Sequence, residues 1–330
     1  MNKRGSILII TLWILAILSL LAISFAHHTA IGIKLAEYHI SSLRNLYICK
    51  AGIKRACYEL NRDKEENVYD SFNDSWSNNP EAFKNAGVGT GAFTISYQIE
   101  DDNGNVITVY GMIDEERKIN INKLVKNGVQ DGVRISQVKK LLEILDIDTV
   151  IADYIVDWLD SDSLGEGEED FYQGLSASYH CKNDLIECLE EMYLIRGITA
   201  EIFKKLKPYI TIYGEGKINI NTAGKKVFMS LGMDDTLAQQ ILDYRSQDGG
   251  EDDLYSFKTL GSLIPNLDLT SEQRRILTAL IQADYFTVCS SVFKVNVTSV
   301  LNNSKLAKRV EVVLQKDDGN NITIKYWHEN

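Results

Sequence analysis

A chain of 330 residues, 45% hydrophobic and 25% charged, has room for about two ordinary domains and can bury their cores without disulfide staples. Its formal charge of −11 repels a phosphate backbone over most of the surface, so nucleic acid is not expected as a partner. Five cysteines with no C-x-x-C among them show no zinc-ligand spacing; Cys181 and Cys188 could pair in an oxidising compartment, with buried free thiols the favoured reading.

The first element is apolar. Lys3 and Arg4 precede 21 uncharged residues, Ser6 to Ala26. A helix of ~20 residues spans a bilayer core, and two basic residues on a short flank keep the N-terminus in the cytoplasm. A cleaved secretory signal has a shorter apolar stretch of ~7–15 residues, although Ser24-Phe25-Ala26 would serve as its small-x-small site. A plain signal anchor is a second reading. Helix-compatible sequence continues to about Arg62, however. Leu35, Tyr38, Ser42, Leu46, Cys49, Ile53, Ala56 and Leu60 recur at three- and four-residue steps, carrying one apolar stripe beyond the membrane. The spacing predicts a stalk helix over 6–62, with Leu35, Tyr38, Leu46 and Ile53 as candidate partner contacts.

Lys3-Arg4-Gly5 followed by Ser6-Ile7-Leu8-Ile9-Ile10-Thr11-Leu12-Trp13 resembles a type IV prepilin leader. The resemblance implies cutting by prepilin peptidase after Gly5, a leader over 1–5, and Ser6 as the first mature residue. Most such proteins carry Glu at the fifth mature position, where it offsets a neighbouring subunit's N-terminal ammonium in an apolar filament core. Here that position is Ile10. A subunit at the tip has no neighbour above it to neutralise.

Residues 61–91 are polar and read as a loop. Phe93, Ile95, Tyr97 and Ile99 alternate as a strand, Asp102-Asn103-Gly104 signals a turn, and Val106, Thr108 and Tyr110 follow. Near the C-terminus, Phe286-Thr287-Val288 and Phe293 to Val297 read as strands. Val310 to Leu314, a turn at Asp317-Asp318-Gly319-Asn320, and Ile322 to Tyr326 read as a hairpin. Between them the periodicity is helical. Neither β block has enough strands alone, so the fold expected is α+β. Residues 63–122 and 284–330 would build one small antiparallel sheet against the long helix, and 123–283 would be a helical insertion. That insertion holds a repeat: Lys118-Ile119-Asn120-Ile121-Asn122 recurs as Lys217-Ile218-Asn219-Ile220-Asn221, each followed by matching helical sequence.

The second copy also resembles the helix-hairpin-helix domains of competence DNA receptors. Those hairpins hold phosphate on backbone N–H groups at a Gly-hydrophobic-Gly turn. The turns here are Gly232-Met233-Asp234 and Asp146-Ile147-Asp148, and Gly197-Ile198-Thr199 lacks the second Gly too. A carboxylate in place of Gly repels phosphate, so the hairpins read as packing units.

Leu141 to Cys181 holds eleven acidic residues and no Lys or Arg. A solvated acidic face is the ordinary reading of such a run. Yet Trp158, Leu159, Phe171 and Tyr172 interleave with the carboxylates and draw some toward a packed surface. An EF-hand frame from Asp160 fails, because Leu164 and Phe171 fall at its fifth and twelfth positions. Catalytic patterns are missing: there is no G-x-S-x-G, P-loop or H-E-x-x-H, and Gly87-Val88-Gly89-Thr90-Gly91 precedes a strand rather than a helix. Only His180 lies near acidic residues, and it has no nucleophile beside it. No enzyme is expected.

Taken with the leader, Ala51-Gly52-Ile53 through Asn61-Arg62-Asp63, both Lys-Ile-Asn-Ile-Asn runs, the acidic loop and Arg196-Gly197-Ile198-Thr199 are similar to the minor pseudopilin K family of type II secretion systems. That family lacks the acid at the fifth mature position. The resemblance implies a type IV pilin-like fold, a single-pass anchor in the inner membrane with a periplasmic domain, and a tip position on a short filament with minor pseudopilins I and J. It also implies that the acidic segment can hold calcium, with Asp160, Asp162, Glu168 and Asp170 as expected Ca²⁺ ligands and Asp248-Gly249-Gly250-Glu251-Asp252-Asp253 as a weaker second candidate. The alternatives are a minor pilin of a type IV pilus or competence system, or an anchored helix-hairpin-helix DNA receptor.

Overall fold

The computed structural model describes residues 3–66, 68–100, 106–247, 255–302, 306–317, 319 and 321–330. Helix α1 runs Lys3–Glu66, 64 residues, or about 95 Å at ~1.5 Å per residue. It exceeds the expected span at both ends, and neither flank contains a proline to stop it. Its side chains are exposed from Ile7 through Ile40. The first fully buried residue of α1 is Asn45, whose side-chain amide donates to Leu306 O at 3.0 Å and whose backbone carbonyl accepts from Ser299 Oγ at 3.0 Å. Beyond that point Ile48, Cys49, Ile53, Ala56 and Leu60 are buried.

After α2 (Pro80–Phe83) come β1 (Ala86–Val88), β2 (Gly91–Ile95), β3 (Tyr97–Glu100), β4 (Val106–Val109) and β5 (Ile113–Asp114). The expected single strand through Tyr97 and Ile99 is broken at Ser96. Tyr97 onward leaves the main sheet to pair with β4 in a separate antiparallel hairpin. The turn expected at Asp102-Asn103-Gly104 lies outside the described residues.

The helical insertion then holds β6 (Ile119–Asn120), β7 (Val125–Lys126), β8 (Val129–Gln130), α3 (Gly132–Ile144), α4 (Val150–Leu159), α5 (Glu169–Gln173) and α6 (Ala200–Leu206). There follow β9 (Ile210–Thr211), β10 (Ile218–Asn219), α7 (Lys225–Ser230), α8 (Asp235–Ser246), α9 (Leu263–Asn266), α10 (Ser271–Gln282) and β11 (Phe286–Thr287). Helix starts are fixed by side-chain caps: Asp131, Thr199, Asp234 and Thr270 accept from backbone N–H groups of the first turns. The chain ends with β12 (Val292–Leu301), β13 (Ala307–Lys316) and β14 (Ile322–Glu329). Part of the turn expected at 317–320 lies outside the described residues.

The main sheet is antiparallel, in the order β1-β2-β12-β13-β14, with β5 also pairing β12. Phe93, Ile95, Val295, Val297, Val312 and Leu314 share a buried cluster with the distal half of α1. Gly52 permits the close approach, because a Cβ there would sit 2.9 Å from Val297 Cγ1 and 3.0 Å from the Phe93 ring. A second core fills the insertion.

Each Lys-Ile-Asn-Ile-Asn run makes the same construction. Ile119 and Asn120 pair in parallel with Ile210 and Thr211, and Ile218 and Asn219 pair in parallel with Phe286 and Thr287. Phe286 and Thr287, expected in the pilin-like sheet, therefore complete the second repeat of the insertion instead. The last Asn of each run clasps one backbone unit at both ends. Asn122 binds Ile186 N and O at 2.9 and 2.9 Å, and Asn221 binds Phe257 N and O at 2.9 and 3.0 Å. A side-chain amide is the group that satisfies a buried N–H and C=O together.

The insertion meets the sheet through three consecutive buried acids. Asp114 Oδ2 accepts from Thr222 Oγ1 at 2.5 Å and Ser290 Oγ at 2.7 Å. Glu115 pairs with Lys118 at 2.5 Å and accepts from Thr211 Oγ1. Glu116 accepts from Ser291 N at 2.6 Å and Ser291 Oγ at 2.9 Å.

Candidate metal centre

Helix α4 is almost wholly buried, from Ile151 to Leu159, and it ends where Asp160 turns to extended backbone. The next residues wrap around the side chain of Asp157. Gly167 N donates to Asp157 Oδ2 at 2.7 Å, and a Cβ on Gly165 would lie 2.3 Å from the same oxygen. The glycines thus let the loop close over a buried carboxylate. Helix α5 then anchors it: Tyr172 is fully buried, edge-on to Trp158 at 5.2 Å.

This closure brings Asp160, Asp162 and Glu168 together, with one oxygen of each within 4.8 Å of the others. Among the described residues they form the one such group of metal-ligating side chains. Asp160 is 3% exposed and Glu168 5% exposed, whereas Asp162 opens to solvent. Asp160 Oδ2 accepts from Gln130 Nε2 at 2.9 Å. Asp160 Oδ1 and both Glu168 carboxylate oxygens accept no hydrogen bond among the described residues. Burial pushes the Glu168 carboxyl up to about 7, and the charges of Asp157, Asp160 and Asp162 push in the same direction. Buried carboxylate oxygens with no donor are costly, and a hard cation taking oxygen ligands would satisfy them. The donor set fits Ca²⁺ or a similar hard cation. It does not fit zinc, since no His or Cys joins the group.

Asp170, the fourth expected ligand, lies outside this group. It is exposed on the first turn of α5, while its neighbours Phe171 and Tyr172 face inward. Gln130 was not legible as a site residue. It arrives from the β7–β8 hairpin, whose Asn127 and Gly128 both take positive φ, and the Asn-Gly pair in the sequence is the signal that could have found that turn. The second expected loop, 248–253, lies outside the described residues. Cys181 and Cys188 are free thiols.

The expected stalk contacts divide. Leu35 and Tyr38 are 55% and 51% exposed on the free part of α1. Leu46 is half-buried against the chain's own sheet, and Ile53 is buried in that core at 5%. Ile53 is therefore corrected from a partner contact to an internal one, because the stripe is claimed by the sheet from Asn45 onward. Gly5 and Ser6 lie on helical backbone in α1. At the hairpin turns, Asp234 Oδ1 accepts from Leu237 N at 2.7 Å and Asp148 Oδ1 from Val150 N at 3.0 Å. One N–H at each turn is thus taken by a carboxylate that would also repel a phosphate there.

Residues 117–215, which contain this site, match the family model of the type II secretion system (T2SS), protein K. That match covers 99 of the chain's 330 residues. Curated relatives bear the same name. A type II secretion system protein K of Aeromonas hydrophila is 34% identical over 33% of this chain and 37% of its own length. One from Pectobacterium carotovorum subsp. carotovorum is 26% identical over 67% of each chain. The matches thus span from about a third to two thirds of these relatives. Among solved structures, a chain of the GspK-GspI-GspJ complex from the enterotoxigenic Escherichia coli type 2 secretion system shares the fold. Its TM-score is 0.70 at 13% identity, covering 89% of this chain and 99% of that one. The α+β architecture described above, a long helix on an antiparallel sheet with a helical insertion, is therefore a fold this chain shares with that one.

Proposed function

We propose that this chain is a minor pseudopilin of a type II secretion system, anchored in the inner membrane by α1 and set at the tip of a short periplasmic filament. The observation that carries the reading is the division of α1. Its first part is long and apolar enough to cross a membrane and stands clear of the chain, while its last part is built into a sheet that carries a protein K insertion. An exposed apolar helix of this length needs lipid and sister helices to cover it. The partners are minor pseudopilins I and J, and Leu35 and Tyr38 lie on the exposed stretch of α1 beyond the membrane. The role is structural, with the N-terminus cytoplasmic before prepilin peptidase cuts between Gly5 and Ser6. Ca²⁺ held by Asp160, Asp162 and Glu168 supplies the positive charge that ties the end of α4 to the start of α5.

The test is the mature N-terminus. Co-expressed with prepilin peptidase, the chain should begin at Ser6 by mass spectrometry and co-purify with pseudopilins I and J. A mature chain starting at His27, or still at Met1, overturns the reading. For the metal, calorimetric titration of the full chain in detergent micelles with CaCl₂ should give heat and raise the melting temperature; neither response sinks the cation site.

A further inference from the structure

We propose that Arg196 is a latch that pre-forms the acidic loop for its cation, a positioning residue and not a ligand; this rests on the cation reading above. The stretch from Leu141 to Cys181 supplies no positive charge of its own. Arg196 brings one from outside, from the segment just ahead of α6. Its guanidinium lies over the Tyr154 ring at 4.7 Å and over the Phe171 ring at 4.5 Å. Nη1 donates to the backbone carbonyl of Glu166, and Nη2 lies 3.6 Å from Glu166 Oε2. Its own N–H donates to the Tyr172 hydroxyl at 3.2 Å.

Those contacts reach α4, the loop and α5 at once, the three pieces that must hold still for Asp160, Asp162 and Glu168 to converge. Gly197 follows with φ +78°, a left-handed turn that glycine allows, and Ile151 and Tyr154 of α4 lie within ordinary contact distance of it. A planar cation held between two rings while donating to a carbonyl is a geometry that Lys cannot copy. Arg196 also engages the Glu166 carboxylate, whose exposed side chain faces it rather than the three converging acids.

The sign of the effect separates a latch from a bystander charge. Coulomb's law alone says that removing a positive charge near a cation site tightens cation binding. A latch predicts the reverse, because its loss lets the ligands spread. The test uses the full chain in detergent micelles, titrated calorimetrically with CaCl₂, with hydrogen exchange of the 160–168 amides measured separately in EGTA. Arg196→Gln should weaken Ca²⁺ binding by ~10-fold or more, the range seen for groups that orient metal ligands. It should speed loop exchange by a similar factor while α7 and α8 exchange as before. Arg196→Lys should restore neither, and Arg275→Gln, which also removes one positive charge, should match the wild type. If Arg196→Gln fails to fold, Phe171→Leu, which removes one stacking face, should weaken binding about 3-fold. Unchanged or tighter Ca²⁺ binding in Arg196→Gln, or unchanged loop exchange, overturns the latch. A wild type that gives no heat with Ca²⁺ sinks the cation site itself, and exchange in EGTA then decides the latch without any metal.

Discussion

Glu116→Gln should remove one distinct share of the pH dependence of stability, alongside the share that Glu168 keeps. Glu116 sits 6% exposed where the insertion meets the sheet. Burial first, and the Asp114 charge second, raise its carboxyl from 4.5 to about 7, against the two hydrogen bonds from Ser291. A folded pKa above the unfolded one means the folded state holds the proton more tightly. The stabilisation is then fully present below about 4.5 and is lost as pH rises through about 7. At ~1.4 kcal/mol per pH unit, this one group removes on the order of 3 kcal/mol across that window. Asp114, raised by burial, adds to the same slope, whereas Glu115, buried but with its carboxyl lowered by the Lys118 ammonium, acts in the opposite sense only below about 4.5, outside this window. Gln keeps an oxygen to accept from Ser291 and cannot ionise. Thermal unfolding of the full chain in EGTA, from pH 4.5 to 8, should therefore show the wild type losing stability relative to Glu116→Gln. At ~2–4 °C per kcal/mol the gap reaches roughly 6–12 °C at pH 8. Parallel curves for the two proteins, or a variant less stable than wild type at pH 8, would refute the reasoning.

Other substitutions probe separate parts of the structure. Gly52→Val forces side-chain atoms into Val297 and Phe93 and should destabilise the contact between α1 and the sheet by ~1–3 kcal/mol, read by urea unfolding; a neutral result removes the close-approach argument. Asn221→Ala strands the buried N–H and C=O of Phe257 and should cost ~2–4 kcal/mol, whereas a loss below ~0.5 kcal/mol would show that water replaces the clasp. Asp160→Asn with Glu168→Gln should abolish Ca²⁺-dependent stabilisation, and retention of the full wild-type response would place the ion elsewhere. Leu35→Ala with Tyr38→Ala should leave the melting temperature within ~1 °C of wild type while reducing co-purification with pseudopilins I and J; unimpaired co-purification would clear these two side chains of any contact role.

Local chemistry was enough to announce the long helix, since a run without charge or proline has one stable form in lipid. It also announced the paired Lys-Ile-Asn-Ile-Asn repeats and the acidic loop, because identity and composition are visible without folding. What those signals could not convey is which surface each segment would meet. One continuous apolar stripe runs from Leu35 to Leu60, but only the folded sheet divides it at Asn45 into an exposed part and an internal one. Phe286 and Thr287 look like any other β-prone residues, and their partner is Ile218 and Asn219 rather than the pilin-like sheet, a pairing across more than sixty residues that no local pattern encodes. The acidic loop offered eleven carboxylates of equal standing. Chain closure around Asp157 sorted them, turning Asp160 and Glu168 inward and Asp170 out, and it brought Gln130 and Arg196 to the loop from elsewhere. Helix-forming tendency and repeat identity are properties of neighbours along the chain; burial, pairing and convergence of charge belong to contacts between distant residues, so they exist only once the molecule has folded.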